Sequence, residues 1–197
     1  MRILAFSDLH CHLARAADLV ARSRDFDAVV CAGDVASVHS GLEETIAALR
    51  PIEVPVILVP GNNETEAALR AACSGWPGAT VLHGESTALG GVEVFGLGAG
   101  IPVTPWDWSF DLDEDEAAQG LAACPEGALL VLHSPPYGHV DTSRGRHLGS
   151  RAILEAIEAK RPRLAVCGHI HESWGGRSRV GETTVLNLGP GGVAVDI

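Results

Sequence analysis

The sequence of 197 residues predicts an α/β protein built on a mixed β-sheet. Three observations support this fold class. Short apolar runs that suit strands covered on both faces recur along the chain, as at 54–59. Stretches with helical periodicity separate these runs in the first half, which gives the order β-α-β-α-β-α. Shorter strands joined by glycines, more like hairpins, follow at 80–98 and 177–197, so we expect one half of the sheet to be parallel and the other antiparallel.

The predicted elements follow one another without an obvious linker or internal repeat. We expect strands at 3–6, 28–32, 54–59, 92–97, 128–132, 163–167 and 183–188. We expect helices at about 12–24, 41–50, 64–73, 114–123 and 149–160. Ser150 or Gly149 can start the last helix, and Pro162 ends it. Residues 1–197 are therefore predicted to form one domain.

Composition limits the classes of partner. The chain carries a formal net charge of -11, whereas a protein that wraps duplex nucleic acid needs a basic surface to displace counterions. Duplex nucleic acid is therefore not expected as a partner. A small anionic substrate remains compatible with this charge if bound dications offset part of it locally.

Cysteine usage and the first residues predict a cytoplasmic protein. The five cysteines are an odd number, lie far apart and form no CxxC motif, which is typical of a reduced chain. The apolar run at 2–6 is followed closely by Asp8, so it is too short for a signal peptide or a membrane span. No membrane association is expected.

Polar side chains with metal-binding chemistry come directly after five of the predicted strands. They are Asp8, His10, Asp34, Asn62, His133, His169 and His171. Sites in α/β proteins form at the carboxyl ends of strands, so these side chains can converge. Alternation in an extended segment would put Asp8 and His10 on one side, and likewise His169 and His171. The glycine before a ligand, as at Gly33, allows the tight turn that such a site needs.

Taken in order, these motifs resemble the calcineurin-like metallophosphoesterase superfamily. They read Asp8-Leu9-His10, Gly33-Asp34-Val35-Ala36, Gly61-Asn62-Asn63-Glu64, the lone His133 and Gly168-His169-Ile170-His171. The stretch His133-Ser134-Pro135-Pro136-Tyr137-Gly138 resembles the HxPP loop of the small, class III phosphodiesterase-like branch. The resemblance implies a four-layer α-β-β-α sandwich with two mixed β-sheets, and a metal site at the carboxyl ends of the strands.

Carried over residue by residue, the resemblance implies a pair of metal ions. One ion would be held by Asp8, His10, Asp34 and His171. The second would be held by Asp34, Asn62, His133 and His169, with Asp34 as the bridge. Imidazole, carboxylate and amide ligands suit divalent Mn, Fe, Zn, Co or Ni. The implied activity is hydrolysis of small phosphodiesters or phosphomonoesters by a metal-bridging hydroxide that attacks phosphorus.

One position departs from the family pattern. The catalytic residues implied are Asp34, Asn62, Asn63 and His169, but the family has a histidine where this chain has Asn63. Asparagine donates a hydrogen bond but cannot deliver a proton to a leaving group. We therefore expect a preference for phosphodiesters or activated esters, unless His12 or His139 replaces the missing acid.

Two interpretations stay open at this level. The loop at 98–113, which contains Trp106 and Trp108, can form a wall of a substrate site or can pack onto the body of the protein.

The leading function is a dinuclear metal phosphoesterase acting on a small phosphate ester. The alternative is a catalytically weak binding or scaffold protein of the same fold, in which Asn63 marks loss of activity. A nuclease is disfavoured by the acidic composition.

Overall fold

The computed structural model describes residues 1–197, which form five α-helices and thirteen β-strands. The helices are α1 (Leu13–Ser23), α2 (Leu42–Leu49), α3 (Glu66–Cys73), α4 (Glu114–Leu121) and α5 (Arg151–Lys160). The strands are β1 (Arg2–Phe6), β2 (Ala28–Cys31), β3 (Val56–Leu58), β4 (Ala79–Val81), β5 (Glu85–Leu89), β6 (Val92–Leu97), β7 (Leu129–Leu132), β8 (Thr142–Ser143), β9 (Arg146–His147), β10 (Leu164–Cys167), β11 (Arg177–Val180), β12 (Thr183–Asn187) and β13 (Val193–Asp196).

The first sheet has the strand order β13-β1-β2-β3-β4. Strands β1 to β4 are parallel, and helices α1, α2 and α3 connect them in turn as β-α-β units. Strand β13 comes from the end of the chain and pairs antiparallel with β1, with Ile3 opposite Val195. The predicted β-α-β-α-β-α order of the first half is thus confirmed.

The second sheet has the order β11-β12-β10-β7-β6-β5. Its four inner strands are parallel, and antiparallel partners β5 and β11 close its two edges. The prediction of one parallel and one antiparallel half is wrong in this respect, because each sheet has a parallel centre and antiparallel edges. The segment 177–197, predicted as hairpin-like, is divided between the sheets. Strands β11 and β12 pair with each other in the second sheet, whereas β13 pairs with β1 in the first.

Three apolar cores separate four layers. One core lies between the first sheet and helices α1 to α3, and includes Leu4, Leu19 and Ile46. The middle core lies between the two sheets and includes alternate side chains of each, such as Ala5 of the first sheet and Val131 of the second. The third core packs helices α4 and α5 on the far face of the second sheet. The result is the expected α-β-β-α sandwich, in which both faces of each sheet are covered.

Polar caps start three of the helices. The side chains of Thr65, Asp113 and Ser150 accept hydrogen bonds from backbone N–H groups in the first turn of α3, α4 and α5, respectively. Of the two predicted starts of α5, Ser150 is therefore correct, and the helix ends at Lys160, before Pro162. None of the five helices combines the length and apolar composition that crossing a membrane requires.

Candidate metal centre

The predicted ligands lie where strands of both sheets end. Asp8, Asp34 and Asn62 follow β1, β2 and β3 of the first sheet, whereas His133 and His169 follow β7 and β10 of the second. The parallel strands at the centre of both sheets have their carboxyl ends at one edge of the sandwich. The fold therefore brings together side chains that are more than a hundred residues apart in sequence.

The backbone turns sharply at these strand ends. Asp8, His10, Asp34 and His169 have φ values of 56°, 43°, 57° and 66°, in the left-handed region that non-glycine residues rarely adopt. The backbone is therefore not extended at these positions. Asp8 and His10 nevertheless lie in one cluster, as expected, whereas the expectation that His169 and His171 share a side is wrong. His169 and His171 in fact point into two different groups of side chains. Strained conformations of this kind persist where the surrounding structure holds them, and they are frequent at functional sites.

Glycines make the close approach possible. A Cβ atom at Gly33 would lie 2.6 Å from His133 Nδ1, and one at Gly168 would lie 2.5 Å from Asp8 Oδ2. Any larger residue at either position would displace a predicted ligand, which is the role expected of these glycines.

Two clusters of ligand atoms form, each within 4.8 Å. The first cluster consists of Asp8, His10 and His171, with 3.1 Å between the Nε2 atoms of the two histidines and 3.8 Å from His171 Nε2 to Asp8 Oδ1. The second cluster consists of Asp34, His133 and His169. This division matches the two ligand sets that the family resemblance implies.

Asp34 faces both clusters. Its Oδ2 lies 3.5 Å from His10 Nε2, and its Oδ1 lies 3.5 Å from His133 Nε2. The carboxylate is only 2% exposed. A carboxylate in this position can bind one ion through each oxygen, which is the geometry of a bridging ligand.

The orientation of two histidines suits metal binding. His10 Nδ1 lies 3.2 Å from the carbonyl of Ala36, and His133 Nδ1 lies 2.8 Å from the carbonyl of Ala32. Because a carbonyl only accepts, each Nδ1 carries a proton, which leaves Nε2 as the ring nitrogen that can bind a metal. The Nε2 atom of His133 then faces Asp34 Oδ1 and Asn62 Oδ1, two oxygens that cannot donate to it. A cation at that point would satisfy all three atoms.

The amide of Asn62 is oriented by a neighbour. Its Nδ2 donates to Ser109 Oγ at 2.8 Å, and this leaves Oδ1 directed at His133 Nε2, 3.3 Å away. The oxygen rather than the nitrogen of the amide is thus available to the second cluster, as a metal ligand requires.

The electrostatics of the site also favour bound cations. Burial raises the pKa of Asp34 to about 7, and the nearby charge of Asp8 adds to the shift. Burial lowers the pKa of His169 well below its usual value, with His133 as the next contribution, and burial also lowers the pKa of His171. Both histidines are thus held neutral, the form that binds metal. Neither buried carboxylate forms an ion pair with lysine or arginine, so dications fit the donor set.

Sequence reasoning missed Trp174. Its Nε1 donates to Asp8 Oδ2 at 3.0 Å, and its ring lies 4.2 Å from the ring of His171. The side chain therefore positions two members of the first cluster. A tryptophan three residues after a histidine carries no recognisable signal, because the contact with Asp8 joins residues 166 positions apart.

Glu64 is the first residue of the helix predicted at 64–73, but in the structure it lies before α3 and has another role. It is 1% exposed and accepts hydrogen bonds from the backbone N–H groups of Gly61 (2.8 Å), Ala36 (2.9 Å) and Val35 (3.3 Å). Helix α3 begins later, with Thr65 as its cap. Burial raises the pKa of Glu64 to about 7, with Asp34 as the next contribution. The side chain ties together the loops that carry Asp34 and Asn62.

The two histidines suggested as replacement acids lie outside the site. His139 Nδ1 hydrogen-bonds Ser178 Oγ at 2.9 Å, and His12 occupies the exposed position before α1. Neither lines the cavity that opens above the two clusters, which has a volume of about 590 Å³. Trp106 and Trp108 do line it, which favours the substrate-wall interpretation of their loop.

Comparisons with known proteins identify a family and a fold for the chain. The family profile of the calcineurin-like phosphoesterase superfamily domain matches residues 1–195. An uncharacterised protein of Methanocaldococcus jannaschii is 30% identical over 204 residues, covering 96% of this chain and 88% of the relative. Human metallophosphoesterase domain-containing protein 1 is 30% identical over 137 residues, 66% of this chain and 39% of that protein. The fold matches the crystal structure of a dimetal phosphatase from Danio rerio with a TM-score of 0.66 at 14% identity, over 96% of this chain and 88% of that one.

Proposed function

The chain belongs to the calcineurin-like phosphoesterase superfamily, and from this premise we propose that it is a dinuclear metal-dependent hydrolase of small phosphate esters. The observation that carries the proposal is the position of Asp34 between the two ligand clusters, with one carboxylate oxygen 3.5 Å from a histidine of each. A buried carboxylate that faces two sets of metal-binding nitrogens has no evident use in a protein that binds no metal.

The proposed ligand sets follow the two clusters. Asp8, His10, His171 and Asp34 would hold one ion, and Asp34, Asn62, His133 and His169 would hold the other. When bound, the pair supplies Lewis-acid activation of water and neutralises charge on the transferring phosphoryl group. We propose Mn²⁺ as the first ion to test, because imidazole, carboxylate and amide donors suit it together with divalent Fe, Co, Ni and Zn.

The protein contributes orientation around this centre. Hydrogen bonds to backbone carbonyls fix the rings of His10 and His133, and Ser109 fixes the amide of Asn62. Such partners keep ligands in their binding geometry, and their loss typically lowers metal affinity by about 10- to 100-fold. Asn63 contacts Asp34 and therefore acts as a positioning residue in this proposal.

A preference for phosphodiesters or activated esters is the second part of the proposal. Glu172 is the one titratable residue that lines the cavity and does not belong to the proposed ligand sets. Hydrogen bonds from the Arg144 N–H and from Ser143 Oγ lower the pKa of Glu172, which keeps it ionised. With Asn63 in place of a histidine, no side chain there is suited to protonate a leaving group at neutral pH. Esters whose leaving groups need no proton are thus the favoured substrates.

The proposed organisation is one domain in a reducing, cytoplasmic environment. Pairing of β13 with β1 joins the two ends of the chain in one sheet, which supports a single domain over residues 1–197. All five cysteines are free, and four of them are buried, which supports a reducing compartment.

The experiment is a metal add-back assay with a matched variant. Purified protein is stripped of metal, reloaded with Mn²⁺, and assayed on bis-p-nitrophenyl phosphate and p-nitrophenyl phosphate, with metal content measured in parallel. Asp34→Asn tests the bridge, and Asp18→Asn, an exposed carboxylate of α1, is the control. We expect metal-dependent diesterase activity that Asp34→Asn abolishes and Asp18→Asn retains.

Two results would count against the proposal. Stoichiometric metal binding without turnover on either ester would favour the scaffold alternative. Equal activity in Asp34→Asn and in the unmodified protein would show that Asp34 is not a metal ligand that the reaction needs.

A further inference from the structure

One wall of the cavity is aromatic and apolar. Trp106 and Trp108 stack with ring centroids 5.5 Å apart and 14° between their planes, and Val103 also lines the cavity. These three residues form what we call the aromatic wall. Trp106 is 50% exposed and Val103 is 61% exposed. Large apolar side chains that stay exposed within a concave site are typical of ligand contact.

Hydrogen bonds anchor the aromatic wall to the metal centre. Ser109 Oγ accepts from Asn62 Nδ2 at 2.8 Å and donates to Asp111 Oδ1 at 2.7 Å. The backbone N–H and the hydroxyl of Thr104 both donate to Asp111 Oδ2 at 2.8 Å. Thr104 and Ser109 flank the two tryptophans in sequence, so the same network holds the wall and orients a proposed metal ligand. The wall therefore has a defined position relative to the phosphate site.

The residues that line the cavity supply no positive charge for the substrate. None of the 17 residues that line it is lysine or arginine, and Glu172 adds a negative charge at the rim. The three arginines nearest in sequence to Ser143 and Leu148 are not among the lining residues, and Arg151 instead lies over the ring of Tyr137 at 4.3 Å. Among the lining residues, bound metal ions would thus be the sole source of positive charge, and a second phosphate or carboxylate on the substrate would meet no lysine or arginine of the lining.

Building on the proposed function, we propose that the aromatic wall binds a planar, uncharged aromatic group of the substrate while the phosphate lies at the two clusters. The substrate class is a phosphate ester with one anionic group and one such ring. Trp106 and Trp108 are its specificity-determining residues. The cavity of about 590 Å³ is large enough for a molecule of this kind, since small-molecule sites span ~300–1,000 Å³.

The test uses phosphonates, whose C–P bond is not hydrolysed. Binding of phenylphosphonate, methylphosphonate and 4-carboxyphenylphosphonate to the Mn²⁺-loaded protein is measured by titration calorimetry. We expect phenylphosphonate to bind about tenfold more tightly than methylphosphonate, since stacking of a ring on an aromatic side chain typically gives ratios of this size. The carboxylated ring should lose most of this advantage, because the cavity lining includes Glu172 and no lysine or arginine.

Three variants identify the residues responsible. Trp106→Ala should bring the two affinities to within about twofold of each other, whereas Trp106→Phe should keep most of the preference, because it preserves a ring. Leu13→Ala removes an exposed apolar side chain of α1 outside the cavity and should leave the preference unchanged. The circular dichroism spectrum of each variant checks that it is folded.

The outcomes separate this inference from the proposed function. Equal binding of phenylphosphonate and methylphosphonate, or an unchanged preference in Trp106→Ala, would overturn the aromatic wall as a subsite even if the protein hydrolyses bis-p-nitrophenyl phosphate. Tighter binding of the carboxylated ring would overturn the requirement for an uncharged group. A preference for the phenyl probe that Trp106→Ala removes, in a protein without esterase activity, would support the subsite and reject the hydrolase.

Discussion

Asn63 holds the carboxylate of Asp34 at both oxygens. Its backbone N–H donates to Oδ1 at 2.9 Å, and its side-chain Nδ2 donates to Oδ2 at 2.7 Å. The Asn63 Oδ1 atom accepts from the N–H of Val38 at 2.8 Å, which fixes the orientation of the amide. In the sequence, Asn63 is notable because it has no proton to transfer where the family has a histidine. Its contacts add a role in positioning the carboxylate that faces both clusters.

The first prediction concerns the leaving group. Asn63→His should raise turnover of phenyl esters, whose leaving group benefits from a proton, by about tenfold or more, since a positioned general acid typically contributes 10²–10⁴-fold. Turnover of p-nitrophenyl esters, whose leaving group departs without one, should not rise, because the substitution also removes the side-chain bond from Asn63 to Asp34. Paired assays of phenyl and p-nitrophenyl diesters with the Mn²⁺-loaded protein measure the ratio.

Asn63→Ala is the control for this experiment. It removes the side-chain bond to Asp34 without adding an acid, so it should lower turnover of both esters in the same proportion. A uniform effect of histidine on both leaving groups would refute the idea that a missing acid sets the preference.

The second prediction concerns Trp174. Trp174→Phe keeps a ring near His171 but removes the Nε1–H that donates to Asp8 Oδ2. We expect Mn²⁺ affinity to fall by about tenfold, the lower end of the effect of losing a hydrogen bond to a metal ligand. Calorimetric titration of the metal-free protein with Mn²⁺ measures it.

The matched control is Trp106→Phe. This is the same substitution in the aromatic wall, at a side chain that donates no hydrogen bond to Asp8 or Asp34. Its Mn²⁺ affinity should equal that of the unmodified protein. An unchanged affinity in Trp174→Phe would mean that the hydrogen bond does not orient Asp8 for metal binding.

The third prediction concerns the stability of the metal-free protein. In Glu64→Gln, one acceptor oxygen replaces two, and the new NH₂ group faces backbone N–H groups that need acceptors. Leaving a buried donor unsatisfied costs ~1–3 kcal/mol, so we expect the free energy of unfolding to fall by about 2 kcal/mol. Urea denaturation at mildly alkaline pH measures this change.

Glu66→Gln serves as the comparison. Glu66 forms an exposed ion pair with Arg70 on α3, and such pairs contribute ~0.2–1 kcal/mol. If both variants lose the same small amount of stability, the three backbone hydrogen bonds of Glu64 do not hold the ligand loops together.

The order of the elements was accessible from the sequence because it depends on local patterns. Apolar runs and cap residues such as Ser150 act within a few residues of their own positions, so the helices and most strands lie within a few residues of their predicted bounds. The pairing of strands was not accessible in the same way. Whether β13 pairs with β12 or with β1 depends on contacts between the two ends of the chain.

The sequence alone determined which side chains we propose as metal ligands, since Asp8, Asp34, His133 and the last two histidines follow predicted strands in a recognisable order. The residue pattern by itself does not divide these side chains, and the two sets came from the family resemblance; the tertiary structure brings the side chains together in two such clusters. It also decided which atoms face inward and which residues support them. Trp174 and Glu64 act through hydrogen bonds to residues remote in sequence or to backbone N–H groups, and no local pattern encodes such contacts. Residue type and spacing specify the donors, whereas convergence of the strand ends creates the site.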